Sequence, residues 1–242
     1  MTPLAQLIPA KDLEPLILLP GMMCDARLFA PQIALFSGVR AVHCAPIGQA
    51  DNMADIARDV LANAPPYFAL AGLSMGGIVA MEIVRQAPER VRRLCLMDTN
   101  HRAETAERQA LREPQIDAVR GGQLYSVMRD EMKPNYLVDS DRKPAILDTC
   151  MDMAEALGAG IFENQSRALQ KRRDQTDTLK SFTGQTLVLC GRHDLLCPVS
   201  RHEEMRALLP NAALAVIENA GHLPTLEQPD ATNGFMTHWL NN

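Results

Sequence analysis

Ser74 is the residue whose surroundings point most directly to chemistry. It lies at the centre of a Gly-x-Ser-x-Gly motif, Gly72-Leu-Ser-Met-Gly76, between an apolar run typical of a buried strand and a helix-like segment. A strand that turns sharply into a helix leaves no room for side chains beside the turn, so glycines flank a serine whose hydroxyl is exposed at the strand end. The alternative is a glycine-rich turn in which Ser74 only caps the helix.

A serine hydroxyl is a weak nucleophile unless a histidine removes its proton and an acid holds that histidine in one tautomer. Asp194 and His222 supply these residue types, and each directly follows an apolar run. Because the carboxyl ends of parallel strands meet at one edge of a sheet, we expect Ser74, Asp194 and His222 to lie together. The pattern predicts nucleophilic catalysis by a serine.

Other residues compete for these roles. Asp98 also ends an apolar run, and it stays open as the acid. His193 adjoins that acid, and we expect it to make a loop hydrogen bond. We interpret the remaining histidines as surface or core-edge residues: His43, His101, His202 and His238. Of these, His101 is expected to lie nearest to the substrate, because it is at the start of the insert at residues 100–181.

The elements that must position these residues alternate along the chain. Short apolar runs, nearly continuous as in strands buried on both faces, occupy residues 16–19, 40–44, 67–73, 91–97, 186–190 and 214–217. Amphipathic stretches at residues 53–64, 75–86, 200–209 and 230–240 predict helices, with Asn52 and a serine as N-caps of the first and third. This alternation predicts an α/β fold with a mostly parallel sheet.

Residues 100–181 interrupt the alternation with no convincing strand and with helix-like stretches at residues 104–112, 115–132, 143–157 and 161–173. We expect a helical cap or lid over one edge of a core formed by residues 1–99 and 182–242. A basic cluster in this insert is interpreted as a solvated helix face, and alternatively as a contact to an anionic substrate: Arg167, Lys171, Arg172 and Arg173. Four methionines are interpreted as helix-packing residues, and alternatively as the lining for an apolar acyl group: Met128, Met132, Met151 and Met153.

On these motifs the chain resembles the α/β-hydrolase superfamily, in its group of cofactor-free serine esterases, lactonases and carbon–carbon bond hydrolases. The resemblance covers nearly the whole chain outside the insert. It implies the α/β-hydrolase fold, with about six mostly parallel strands flanked by helices and a helical cap insertion. It rests on Leu-Leu-Pro-Gly-Met22, Gly-Leu-Ser74-Met-Gly-Gly, Gly-Arg-His-Asp194 and Asn-Ala-Gly-His222-Leu-Pro, in the order Ser, Asp, His.

The same resemblance implies the site residues. Ser74 would be the nucleophile, His222 the general base and acid, and Asp194 the orienting carboxylate. The backbone N–H groups of Met75 and Met22 would form the oxyanion hole, in which each donor contributes about 3 kcal/mol to transition-state stabilisation. Many relatives have His-Gly where this chain has Pro-Gly before Met22, so the first oxyanion loop is expected to differ in shape.

The function expected from these residues is hydrolysis of a small or medium carboxylic ester or lactone through an acyl-serine intermediate, with no cofactor. Two alternatives stay open. The same three residues can cleave a carbon–carbon bond in a diketone-like ring-fission product, and a member of the fold can bind a ligand without turning it over. The residues that line the cap pocket would distinguish ester hydrolysis from carbon–carbon bond hydrolysis, since an Arg facing the pocket would favour a carboxylate-bearing substrate.

Composition excludes several other classes. The chain has 242 residues, of which 47% are hydrophobic and 22% charged, as in a globular α/β domain. Its net charge of −5 gives no attraction to nucleic acid or anionic lipid, and no apolar stretch is long enough to span a bilayer. We therefore expect a small-molecule substrate, no nucleic acid and no membrane partner; the sequence carries no signal for an oligomeric state.

Cysteines and the N-terminus bear on location and metals. The six cysteines are scattered, without Cys-x-x-Cys pairs or histidines at zinc-ligand spacing, so we expect reduced thiols and no metal site. No Gly-x-Gly-x-x-Gly motif follows a strand. The first residues lack a basic region followed by an apolar stretch, which predicts no secretion and a cytoplasmic location.

Overall fold

A six-stranded parallel sheet organises the described part of the chain, which comprises residues 13–242 of this computed structural model. The strand order is β2-β1-β3-β4-β5-β6, and every neighbouring pair is parallel. The strands are β1 (Leu16–Leu19), β2 (Val42–Cys44), β3 (Phe68–Leu73), β4 (Val91–Met97), β5 (Gln185–Gly191) and β6 (Ala212–Ile217). The predicted α/β fold with about six mostly parallel strands is confirmed. Residues 1–12, on which the no-secretion prediction rests, lie outside the described residues.

The sheet positions match the predicted apolar runs, with small shifts at the edges. β1 and β3 are buried along their whole length, as continuous apolar runs require. β2 begins at Val42, two residues later than predicted, because the N–H of Arg40 still donates to Phe36 O at the end of the preceding helix. β6 begins two residues earlier than predicted, where Ala212 pairs with Thr186.

Helices connect the strands and cover both faces of the sheet. In the core they are α1 (Ala30–Phe36), α2 (Met53–Asn63), α3 (Met75–Gln86), α8 (Val199–Leu208), α9 (Pro224–Glu227) and α10 (Pro229–Asn241). Asn52 caps α2 as predicted, since its side chain accepts the N–H of Asp55 at 2.9 Å. The predicted serine cap of α8 is wrong: Pro198 precedes the helix, and Ser200 lies inside its first turn.

Residues 100–181, called here the helical segment, connect β4 to β5. They form α4 (Ala106–Arg120), α5 (Leu124–Ser126), a π-helical turn (Val127–Met132), α6 (Lys143–Gln170) and α7 (Thr176–Ser181). The predicted division near residue 158 is present as a break in α6, where Gly158 has φ +80°. The predicted gap around Pro114 is absent, because α4 runs through it with Ile116 and Val119 buried against α6. The core-and-cap division at residues 100 and 181 stays a prediction.

Alternating strand side chains divide the core into two layers. Leu19, Leu70 and Leu96 point to the face covered by α2 and α3, whereas Leu18 and Leu189 point to the face covered by α1 and α10. The helical segment adds buried side chains to both layers, among them the predicted packing methionines Met128 and Met153. Among the described residues, no helix is both long and apolar enough to cross a membrane.

Candidate active site

Ser74 occupies a strained turn between β3 and α3. Its backbone has φ +55° and ψ −115°, a conformation that residues with a side chain rarely adopt and that costs roughly 1–3 kcal/mol. Two hydrogen bonds hold it: the N–H of Ser74 donates to Met97 O at 2.8 Å, and the hydroxyl of Thr99 donates to Ser74 O at 2.7 Å. The strain is therefore maintained by β4 and by the residues that follow it.

Glycines allow the close packing behind this turn. A Cβ atom at Gly72 would overlap the backbone of Gly76, and one at Gly76 would overlap the carbonyl of Leu19 at the end of β1. A Cβ atom at Gly77 would lie 2.6 Å from the hydroxyl of Thr99. The Gly-x-Ser-x-Gly-Gly sequence thus packs the start of α3 directly against β1, β3 and the segment after β4.

Three predicted side chains form one hydrogen-bonded chain at the carboxyl edge of the sheet. The imidazole Nε2 of His222 lies 3.0 Å from the hydroxyl of Ser74, and its Nδ1 lies 2.8 Å from Oδ2 of Asp194. Asp194 and His222 are buried, while Ser74 is half-buried. This is the geometry in which a serine hydroxyl can lose its proton to a histidine held by an acid.

The electrostatic environment of Asp194 favours its ionised form. Burial alone would raise the pKa of Asp194, but His222 and the N–H groups of Cys197 and Leu196 more than offset that effect, so its pKa lies below the ordinary value. Its Oδ1 accepts the N–H groups of Leu196 at 2.8 Å and Cys197 at 3.0 Å. An ionised Asp194 places the imidazole proton on Nδ1 and leaves Nε2 free to accept a proton from Ser74.

The loop that carries His222 is fixed by residues that the sequence did not single out. Its backbone N–H donates to Tyr136 O at 2.6 Å, and the two rings meet edge-on with centroids 5.2 Å apart. The buried carboxylate of Glu227 accepts the N–H groups of Gly221 and Leu223, each at about 3 Å, and of Val138 at 2.9 Å. Neither Tyr136 nor Glu227 lies in a recognisable motif.

Met22 and Met75, the predicted oxyanion donors, lie on either side of Ser74. Met75 is the first residue of α3, where a backbone N–H has no acceptor within the helix. The loop that contains Met22 is next to the serine, because a Cβ atom at Gly21 would be 3.6 Å from the Cβ of Ser74. Gln165 of the helical segment, which is fully buried, accepts the N–H of Met23 at 2.8 Å and so holds this loop.

Asp98, the alternative acid, lies beside Asp194 and away from the imidazole. It is fully buried at the end of β4, and its Oδ1 accepts the N–H of Gly191 at 2.9 Å. Burial and the negative charge of Asp194 raise the pKa of Asp98 well above its usual range, although the Gly191 hydrogen bond lowers it in part. Asp98 therefore takes up a proton more readily than an ordinary aspartate, whereas His222 is paired with Asp194.

The other histidines have structural contacts. His202 is fully buried: its Nε2 accepts the N–H of Thr99 at 3.1 Å, and its Nδ1 donates to Pro198 O at 3.3 Å. Burial lowers the pKa of His202 to about 4, which keeps the ring neutral. The backbone N–H of His193 donates to Ala220 O at 2.9 Å. The loop hydrogen bond expected of its imidazole stays a prediction.

The basic cluster of the helical segment is divided among ion pairs. Arg172 is largely buried against Glu104, with 3.1 Å between their charged atoms. Lys171 pairs with Asp51 at 2.8 Å, and Arg167 pairs with Glu113. The solvated-face interpretation therefore holds for Lys171 but is wrong for Arg172, whose guanidinium packs inward.

A carboxylate, a thiol and an imidazole come together at the site and could in principle ligate a metal. The ligating atoms of Asp194, Cys197 and His222 lie within 4.8 Å of one another. However, Asp194 and His222 already hydrogen-bond to each other at 2.8 Å, and burial raises the pKa of the Cys197 thiol well above its ordinary value. A protonated thiol is a poor ligand, so the group is better suited to proton transfer than to metal binding.

Comparisons with known proteins agree on one family. Residues 16–235 match the model described as the alpha/beta hydrolase family. The pimeloyl-[acyl-carrier protein] methyl ester esterase of Aliivibrio fischeri is 26% identical over 210 residues, which cover 82% of this chain and 79% of that protein.

Two solved structures share the fold over nearly their full lengths. A thermophilic esterase from Thermogutta terrifontis superimposes with a TM-score of 0.87 at 25% identity, over 95% of this chain and 91% of that one. The enol-lactonase from Burkholderia xenovorans gives a TM-score of 0.84 at 20% identity, over 97% and 94%.

The packing at Gly76 generates a first prediction. In Gly76→Ala the added Cβ meets the Leu19 carbonyl, which cannot move without displacing β1, so we expect the free energy of unfolding to fall by about 3 kcal/mol. The matched control is Gly160→Ala, in the exposed part of α6 with open space at the Cβ position, where a gain of up to about 1 kcal/mol is expected. Urea unfolding followed by circular dichroism measures both; equal stabilities would contradict this account.

The raised pKa of Asp98 generates a second prediction. A carboxyl whose folded pKa is raised is most stabilising below its unfolded pKa, and this stability is lost as pH rises towards the folded pKa. Asp98→Asn removes that loss, so its free energy of unfolding relative to wild type should increase from pH 4 to 7, by at most about 1.4 kcal/mol per pH unit. Urea unfolding at several pH values measures the difference.

Labelling of Ser74 by a fluorophosphonate probe gives the functional control. Asp98→Asn should label at close to the wild-type rate, because the amide keeps the shape of the carboxyl group and His222 is hydrogen-bonded to Asp194 instead. Asp194→Asn should label much more slowly, since the imidazole loses its acceptor. A pH-independent stability difference, or Asp98→Asn as slow as Asp194→Asn, would show that Asp98 is ionised.

Proposed function

This chain belongs to the alpha/beta hydrolase family, and from that premise we propose that it is a serine hydrolase of a small or medium carboxylic ester or lactone. The observation that carries the proposal is the hydrogen-bonded chain from Ser74 through His222 to Asp194. Relatives named as esterases support ester hydrolysis as the reaction type. The substrate is a small molecule, and the proposed reaction uses no cofactor.

In the first half-reaction Ser74 attacks the carbonyl carbon of the ester. Its Oγ forms a bond to that carbon while its proton moves to Nε2 of His222, over the 3.0 Å that separates the two atoms. The carbonyl oxygen becomes an oxyanion, which the N–H groups of Met75 and Met22 stabilise by about 3 kcal/mol each. Asp194 stabilises the imidazolium that forms.

Collapse of this intermediate breaks the bond to the leaving oxygen. That oxygen takes the proton from Nε2, so an alcohol departs and an acyl group stays on Ser74. Water then attacks the acyl carbon while Nε2 of His222 accepts one of its protons. When the second tetrahedral intermediate collapses, its bond to Oγ of Ser74 breaks, Oγ takes the proton back from Nε2, and the carboxylic acid leaves. A lactone follows the same steps, with both products in one molecule.

The helical segment is proposed to act as a cap on this chemistry, over a core of residues 1–99 and 182–242. It already touches the site at two points, through the Tyr136 carbonyl on the N–H of His222 and through Gln165 on the N–H of Met23. A cap of this kind selects which acyl groups reach the serine and limits the access of water.

The proposal is tested with p-nitrophenyl esters of increasing acyl length. Wild type should hydrolyse them with one preferred acyl length. Ser74→Ala and His222→Ala should each lower kcat by at least about 10³-fold, because Ser74, His222 and Asp194 would act as one catalytic unit, the proposed triad. The matched controls are Ser200→Ala, an exposed serine on α8, and His193→Ala, beside the triad acid; both should keep wild-type rates. The measurement is p-nitrophenolate release.

Labelling with a fluorophosphonate probe separates the remaining outcomes. Substantial turnover by Ser74→Ala would contradict the proposal. Labelling of Ser74 without turnover of any ester would redirect the assignment to carbon–carbon bond cleavage. Neither turnover nor labelling would indicate a ligand-binding member of the fold.

A further inference from the structure

Lys133 is a buried cation to which the proposed mechanism gives no role. It follows the π-helical turn of the helical segment, its side chain is 3% exposed, and its Nζ has no hydrogen-bond partner among the described residues. The ammonium lies 4.4 Å from the centre of the Tyr136 ring. A cation–π contact returns only part of the cost of removing a charge from water, so this ammonium lacks an anion.

The position of Lys133 places it beside the catalytic histidine. The Tyr136 ring that it covers is the one that meets the His222 ring, with centroids 5.2 Å apart. The distance from the ammonium to the centre of the imidazole ring is therefore at most the sum of the ammonium–Tyr136 and Tyr136–His222 distances. A substrate with its carbonyl at Ser74 must therefore extend past the Tyr136 ring to reach Lys133.

The groups around Lys133 do not supply the missing negative charge. Burial raises the pKa of Cys24 to about 12, and burial also raises the pKa of Tyr136, so both are neutral at pH 7. Glu227 lies on the same side of the site, but three backbone N–H groups already occupy its carboxylate. Cys24 belongs to the loop that carries Met22, so Lys133 adjoins the oxyanion side of the site.

A second cation reaches the same loop. Nη1 of Arg112 lies 4.0 Å from Sδ of Met22, and this side chain is mostly buried. Arg112 pairs with Glu104 at 2.7 Å, and Arg172 pairs with the same carboxylate at 3.1 Å. Two guanidinium groups sharing one carboxylate leave an excess positive charge, which adds to that of Lys133.

We propose that the substrate carries a carboxylate of its own, which Lys133 binds while the scissile carbonyl lies at Ser74. The inference rests on the proposed function and names its substrate class: an acidic ester or lactone, such as the monoester of a short dicarboxylic acid. The core supplies the reacting groups, and the helical segment supplies the cation that recognises the acid. Arg112 contributes to the positive potential that attracts it.

The test compares two methyl esters of the same shape, monomethyl glutarate and its neutral amide analogue, methyl 4-carbamoylbutanoate. Wild type should show at least about tenfold higher kcat/KM for the acidic ester, mainly through KM. Lys133→Met keeps the buried stem and removes the charge; it should lower kcat/KM for the acidic ester by about 10- to 100-fold and leave the amide ester within about threefold. Methanol release measures both rates.

The control variant is Lys143→Met, which removes a lysine paired with Asp139 and should change neither ester. If circular dichroism shows that Lys133→Met does not fold, wild type alone decides, because glutarate should inhibit competitively at lower concentration than glutaramide. Equal use of the two esters by wild type, or an equal loss on both in Lys133→Met, would overturn the acidic-substrate proposal alone. Absence of Ser74-dependent hydrolysis of either ester, with no fluorophosphonate labelling, would overturn the proposed function itself.

Discussion

The left-handed backbone of Ser74 is the constraint on which the rest of the site depends. Its N–H donates to Met97 O, and its carbonyl accepts the hydroxyl of Thr99. The N–H of Thr99 donates in turn to Nε2 of His202. These three hydrogen bonds join β3, β4 and α8. The orientation of the Ser74 hydroxyl therefore depends on contacts with other strands and helices as well as on its own turn. A neutral His202 is essential to this arrangement, because only an unprotonated Nε2 can accept the Thr99 N–H. The strain at Ser74 is thus offset by a network that reaches well outside the motif.

Three buried carboxyl groups lie at this edge of the sheet, and their surroundings give each a different state. Asp194 is ionised because an imidazole and two backbone N–H groups face it. Glu227 has a pKa raised by burial and partly lowered again by the three N–H groups that it accepts. Asp98 faces the negative charge of Asp194, and its pKa is raised furthest from the ordinary range. The site therefore concentrates its negative charge on Asp194, the carboxylate that contacts the base, as a base–acid pair requires.

Local patterns predicted the parts of this protein that depend on local interactions. The six strands and the turn at Ser74 follow from apolar runs and from glycines at positions where a Cβ atom has no room, both visible in short windows. The choice of Asp194 over Asp98 rested on the family resemblance alone, because both end a strand at the same edge and only loop geometry brings one of them to His222. Tyr136 and Gln165 escaped notice for a related reason: each acts through a contact with a distant residue, and neither lies in a motif. The inward-facing Arg172 was misinterpreted because spacing cannot show that Glu104 lies beneath it.

Coupling between the helical segment and the core follows from the contacts of Tyr136. Its carbonyl accepts the N–H of His222, its ring contacts the imidazole, and the ammonium of Lys133 lies 4.4 Å from the centre of that ring. A change in the segment that moves Tyr136 must therefore alter both the base and the cation proposed to recognise the substrate. In the proposed mechanism, substrate selection and proton transfer are therefore coupled, since the Tyr136 ring contacts both Lys133 and His222. A carboxylate bound at Lys133 would neutralise the charge beside this ring, and would thus act on the residue whose carbonyl and ring contact His222.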